Sequence, residues 1–430
     1  HPDIRRRLRG AAVALGLVGT LLAMPVSFAA PAAGAGAFTA WGWPQPYEQG
    51  SEKSIAWLKE KGWWPLTVAW QPPFSGQNAS LAVINGQGLL AKRGLEARFE
   101  AFNSGPDINE AVTSGRAQVG NGGNFPLTTL IDKRVPIKVV GITAPNLKHQ
   151  TIVPNDSPLH TLKDLKGSNP PAVIGIVTGS SAEFYFQIAA AHNGLEIGKD
   201  VILKNLPLAE QIQLPKGIAA VVPWDLTASL ITQERKTGRA INVSYPFNIY
   251  QGSYYLRTEL VEQAPDVAQA LTDALIEANL WIRQNPDQAA DLLAAEANLK
   301  NVPKSLLRQQ IDEYNNLYKP TVVYPTAAFW GQENVRIAQW LTQAKRLTRS
   351  LTAADYETVF APQFAEHAFA RLGWKVPTTP PYIGADWPGK LGQLPYPPYD
   401  TYLTLKAPQP FPEQGDLTNP WEFAGRVYAP

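Results

Sequence analysis

Short apolar strands run into Gly/Ser turns and then into helices along most of this chain. No other feature restricts its fold as much. The clearest case is a β-prone run at 172–177, turned by Thr178-Gly179-Ser180-Ser181 and followed by a helical stretch at 182–193. Earlier, 66–70, 97–102, 115–120 and 137–142 read as strands, with helices at 81–92, 105–114 and 125–132 between them. After Pro158 the pattern restarts, with a short helix at 162–167 and strands at 201–205, 219–222 and 240–243. Helices there start near Leu208 and Trp224. One strand near Tyr254 returns to the first lobe, and the rest reads as helix at 265–284, 287–297, 303–316, 326–347 and 353–371. Such alternation predicts an α/β protein with largely parallel sheets. The expected first lobe is discontinuous, 57–158 and 250–374, with a second lobe at 159–249 inserted into it and a hinge at two crossings near 155 and 250.

The ends have other compositions. Arg5, Arg6, Arg7 and Arg9 precede an apolar run ending at Met24, and Ser27-Phe28-Ala29 offers small residues for a signal peptidase. Residues 1–29 read as a removable export signal, cleaved near Ala29, that places the protein in the periplasm. An uncleaved anchor is the alternative, and the arginines permit either the secretory or the twin-arginine route. Removing the segment takes away four Arg and one Asp and leaves 34 basic against 35 acidic residues. No basic face for a nucleic acid is implied. Residues 30–56, rich in Ala, Gly and Pro at their start, read as a linker. The tail at 375–430 holds 12 of the 38 Pro together with many aromatics, which predicts an irregular strap. The absence of Cys excludes disulfides, thiolate metal sites, a Cys nucleophile and a lipid-modified Cys.

Strand-to-helix turns place the candidate binding residues. Thr178, Ser180 and Ser181 open a helix whose free N–H groups and dipole suit an anion, although Ser is also a common N-cap. Glu183 follows one turn later. In the other lobe Asn121-Gly122-Gly123-Asn124-Phe125 makes an equivalent turn, contributing Asn124 and Phe125. A third turn delivers Trp224 as a wall and Asp225 as an acceptor. Trp70, Gln71 and Phe74 follow the first strand. Facing turns at the carboxyl ends of strands are where open α/β sheets bind ligands. No Arg or Lys falls in the three turns. The five His form no zinc spacing, and there is no nucleophile elbow or Walker loop. The expectation is a binding protein without metal or cofactor rather than an enzyme.

Segment order also resembles a known family. The residues are Ser104-Gly105 through Gly120, Leu162–Gly167, Gly179-Ser180-Ser181, Ala219–Asp225, and above all Trp281-Ile282-Arg283-Gln284-Asn285-Pro286-Asp287-Gln288-Ala289-Ala290. Together they resemble the nitrate/sulfonate/taurine family of periplasmic solute-binding proteins of ABC importers. That resemblance implies a two-lobed periplasmic-binding-protein (Venus flytrap) fold closing on a small-molecule ligand, sulfonate, carboxylate or similar. It implies docking on an inner-membrane permease, most simply as a monomer. It does not reach the Pro/aromatic-rich C-terminal extension. Asp225-Leu226 replaces the Glu-Pro that many relatives carry, and Glu183 beside the anion turn runs against an anion. Two alternatives stay open: a carrier of a pyrimidine or aromatic amine, using Glu183, Asp225 and the aromatics, and a periplasmic ligand sensor or interaction protein.

Overall fold

A computed structural model describes residues 37–72, 78–143, 147–244, 247–248, 250–315, 323, 325 and 328–374. The expected signal at 1–29, Phe74 and the expected strap at 375–430 lie outside the described residues. The described strands form two five-stranded sheets. The first has the order β2-β1-β3-β10-β4, with β1 at Leu66–Trp70, β2 at Ala97–Ala101, β3 at Val119–Gly123, β4 at Ile137–Thr143 and β10 at Gly252–Arg257. The second has the order β7-β6-β8-β5-β9, with β5 at Gln150–Pro154, β6 at Ala172–Ile176, β7 at Val201–Asn205, β8 at Ala220–Val221 and β9 at Gly238–Val243.

Leu66-Thr67-Val68-Ala69-Trp70 is buried at every position, as an inner strand covered on both faces must be. Strands β1, β2 and β3 run parallel, and so do β6, β7 and β8. Both sheets are nevertheless mixed, where the sequence suggested mostly parallel pairing. Strand β10 lies antiparallel between β3 and β4, and β5 lies antiparallel between β8 and β9. These are the strands next to the two crossings, which enter their sheets from the opposite end. The first crossing also comes earlier than expected. Gln150 already pairs with Val243 of β9, so 150–154 belongs to the second sheet rather than the first.

Helices cover the sheets. They are α1 (Glu52–Glu60), α2 (Ala79–Gly86), α3 (Gly105–Thr113), α4 (Asn124–Asp132), α5 (Ser181–His192), the short α6 (Leu208–Gln211) and α7 (Thr227–Ser229), and α8 (Thr258–Gln263). After them come α9 (Pro265–Gln284), α10 (Pro286–Ala295), α11 (Lys304–Asn315), α12 (Ala328–Gln343), α13 (Ala353–Glu357) and α14 (Gln363–Leu372). The helix expected at 81–92 ends at Gly86, and the one expected at 353–371 is two helices. Val83 and Ile84 of α2 and Leu271 and Leu275 of α9 share one apolar cluster with Val68 and Val119. Each such side chain contributes about 1.5–3 kcal/mol on burial.

The Trp281–Ala290 signature is explained by packing. Trp281 and Ile282 are buried at the end of α9. Asn285 Nδ2 donates to the Trp281 carbonyl at 3.0 Å, and Pro286 starts α10 where no N–H is needed. Ala289 and Ala290 are fully buried, so larger side chains do not fit.

Residues 37–56 are not a linker. Trp43 is fully buried, and α1 begins at Glu52 behind the N-cap Ser51. A buried ion pair ties this segment down: Arg93 meets Glu277 of α9 at 2.7 Å. Trp41 Nε1 and Tyr47 Oη donate to Glu277 Oε1 at 2.8 and 2.7 Å. The Arg93 guanidinium lies over the rings of Trp43 and Tyr47, at 5.3 and 4.7 Å. Burial, then the Glu277 charge, pushes the Tyr47 hydroxyl well above its usual range, so it stays a donor. Glu277→Ala would strand the Arg93 charge in the core. We expect it to cost about 3–5 kcal/mol, against about 1–2 kcal/mol for Tyr47→Phe, read from urea unfolding midpoints. Equal and small losses for both would mean that the pair is not the anchor.

Candidate functional site

Three helices begin at one cleft between the sheets. Helix α3 starts at Gly105 behind Ser104, α4 at Asn124 directly off β3, and α5 at Ser181 behind Ser180. None of the three N-cap residues supplies a side-chain cap. The positive end of each helix dipole is therefore turned toward the cleft without a side-chain cap from its N-cap residue. Gly179 has φ +79°, which lets the chain turn from β6 into α5 without strain. Gly123 serves another purpose. A Cβ there would overlap Ser181 Oγ and stand 2.7 Å from the Tyr250 ring, so glycine lets the opposing wall close over the end of β3.

The empty space in the cleft is about 280 Å³, part of it open to solvent. Gln71, Ser180, Ser181, Trp224, His149 and Tyr250 line it, with Gly105, Pro106, Gly123, Pro126 and Leu147. Among the described residues no charged side chain lines it. His149 packs its ring 5.5 Å from Tyr250 and edge-on to Trp224 at 5.9 Å. Burial holds the His149 pKa down to about 3 and pushes the Tyr250 hydroxyl upward, so both rings are neutral at ordinary pH.

The residues nominated from sequence separate into two sets. Gln71, Ser180, Ser181 and Trp224 reach the cleft wall. Ser180 Oγ donates back to the Val177 carbonyl at 2.7 Å, and Ser181 Oγ donates across the cleft to Asn124 Oδ1 at 3.2 Å. Asn124 thus joins the two walls from behind the lining. The others point elsewhere. Trp70 is buried in the main core. Phe125 is fully buried with Phe184, Ile337 and Leu341. Thr178 is exposed, its N–H bonded to Asn205 Oδ1 at 3.0 Å. Glu183 turns away, accepting from Gly179 N at 3.0 Å and Arg346 at 2.8 Å. Asp225 Oδ1 accepts from Ser229 N and Oγ at 3.1 and 2.8 Å, bonds to the next turn of its own chain. Buried carboxylates need such partners, and both found them in their own surroundings rather than in the cleft.

Sequence reasoning did not reach His149, Tyr250, Leu147 or the prolines. They lie on the crossings or behind helix starts, where no periodicity marks them. The stretch from Leu147 to His149 runs directly into β5, and that unrecognised strand was the available signal.

Outside the lining the walls also touch. The Phe125 and Phe184 ring centroids are 6.1 Å apart, and Trp340 packs edge-on to both. Arg346 meets Glu183 beside them.

Comparison with known proteins agrees with this architecture. The family model described as NMT1/THI5 like matches residues 77–289. The taurine-binding periplasmic protein of Escherichia coli K12 is 25% identical over 312 residues, covering 70% of this chain and 92% of that protein. Among solved structures, the alkanesulfonate-binding protein SsuA of Xanthomonas axonopodis pv. citri, bound to MOPS, superposes with a TM-score of 0.59 at 19% identity. It covers 69% of this chain and 97% of its own. The periplasmic nitrate-binding protein NrtA of Synechocystis PCC 6803 gives 0.60 at 16% identity, covering 73% and 91%. At such identities the two structures share the fold. With its two mixed sheets and its cleft at the helix starts, the chain matches the NMT1/THI5-like family from 77 to 289, about half of its length.

Proposed function

We propose that this protein is the extracytoplasmic substrate-binding component of an ABC importer, exported to the periplasm with its signal removed near Ala29. Its cleft closes on a small organic anion and hands it to a membrane permease. One observation carries the reading: three helix N-termini without a side-chain cap from their N-cap residues meet at a cleft that, among the described residues, no charged side chain lines. Each dipole contributes about 0.3–2 kcal/mol to an anion placed there. Trp224, Tyr250 and Leu147 suit the organic remainder. The names of the taurine- and alkanesulfonate-binding relatives support the same ligand class.

A carrier of aromatic amines would need a carboxylate in the cleft, and Glu183 and Asp225 are committed elsewhere. A shared fold does not separate a carrier from an enzyme; the chemistry favours a carrier. General acid–base work at neutral pH needs a group titrating near 7. Burial moves both His149 and Tyr250 far from that point.

Calorimetry with ethanesulfonate, benzoate, nitrate and 4-aminopyrimidine tests the reading. Binding of an anion but not of the aminopyrimidine is expected, and the reverse order would overturn it. Gly123→Ala should weaken anion binding at least tenfold, about 1.4 kcal/mol, because the new methyl overlaps Ser181 Oγ. The dissociation constant for a sulfonate should change by less than about twofold from pH 5 to pH 8, since neither cleft ring changes charge there. A tenfold loss on raising the pH through 6–7 would instead mean that a protonated histidine holds the anion.

A further inference from the structure

We propose that His149 is the specificity-determining residue of this cleft, a neutral hydrogen-bonding group that selects organic anions carrying a hydroxyl and disfavours those carrying an ammonium. The inference rests on the anion reading above and deepens it.

His149 stands where both crossings meet. Its N–H donates to Ser244 Oγ at 3.1 Å, its carbonyl accepts from Ser244 N at 2.9 Å, and its backbone bridges to Trp224. Held on both sides, with Tyr250, Trp224 and Tyr185 around it at 5.5–6.4 Å, the ring has a fixed place on the cleft wall. It is 1% exposed, yet its Nδ1 is buried without a hydrogen-bond partner. Buried polar atoms are almost always paired, so an unpaired one on a residue that lines the cleft marks a bond for a ligand to complete.

The surroundings decide which ligand group completes it. The helix N-termini take the anionic head, which leaves His149 to the body of the molecule. Burial keeps the imidazole neutral, and a neutral imidazole both donates and accepts, as a hydroxyl does. An ammonium would enter a cleft with no carboxylate among its described lining residues. It would lose its hydration for one neutral partner and some ring faces, an unfavourable exchange. A plain alkyl chain would leave Nδ1 unpaired.

Titration calorimetry at pH 7 with three sulfonates on the same two-carbon chain, ethanesulfonate, 2-hydroxyethanesulfonate and 2-aminoethanesulfonate, reads this directly. The unaltered protein should bind the hydroxy compound about tenfold tighter than either of the others. His149→Phe should bring the hydroxy compound down to the level of ethanesulfonate and leave ethanesulfonate itself little changed. His149→Asn, which keeps a donor and an acceptor near the Nδ1 position, should retain most of the preference and covers the case in which the Phe variant does not fold. An undiminished hydroxyl preference in a folded His149→Phe protein would overturn the assignment, as would tightest binding of the amino compound. If none of the three binds the unaltered protein, the anion reading itself falls, and this inference with it.

Discussion

The pairing of β10 with both β3 and β4 is the constraint on which the rest of the structure depends. It is a ladder of backbone hydrogen bonds between strands far apart in sequence. Everything from β5 to β9 must leave the first sheet and return to it. The two crossings are thereby brought side by side, where His149 and Ser244 exchange backbone and side-chain bonds. Helix starts from the two sheets then face each other across one cleft. The buried Arg93–Glu277 pair performs a similar service outside it, holding residues 37–50 and α9 to the first sheet. Such a pair adds little net stability over an apolar replacement, but breaking it is costly, so it acts chiefly to exclude other arrangements.

Among the described residues, charge is kept out of the cleft and used around it. Glu183, one turn into α5, would oppose an anion if it faced inward. Instead it binds Gly179 N and Arg346, tying the turn to the segment after α12. Asp225 accepts from the backbone and side chain of Ser229. What remains inside is amide N–H, hydroxyl and neutral rings. Such groups discriminate by hydrogen-bond complementarity and shape more than by long-range attraction. Closing contacts such as Phe125 with Phe184, and Trp340 against both, lie behind the lining, where apolar area joins the walls without touching the ligand space.

Particular residues show how far the sequence could be read. The Gly179-Ser180-Ser181 turn and Trp224 were legible because strand, glycine and helix start follow one another locally. The Trp281–Ala290 signature pointed to the fold family although its residues serve packing and a helix junction. Residues 37–56 were misread because the Ala, Gly and Pro ahead of them suggested a linker. Trp41, Trp43 and Tyr47 bury against Arg93 and Glu277, partners that a local reading does not bring together. Phe125 was placed on the cleft because it follows a turn, but its side chain leaves on the helix face that meets Phe184.

By itself the sequence determined the alternation of strand and helix, the insertion of one sheet's strands between those of the other, and the turns at which helices begin. These follow from periodicity, propensity and glycine positions, which act over a few residues. Tertiary structure alone decided strand direction at the crossings, the outward turn of Glu183 and Asp225, and the arrival of His149 and Tyr250 in the cleft. Each of those depends on partners far away in the chain, and the cost of burying charge or leaving a polar atom unpaired is set only once those partners are in place.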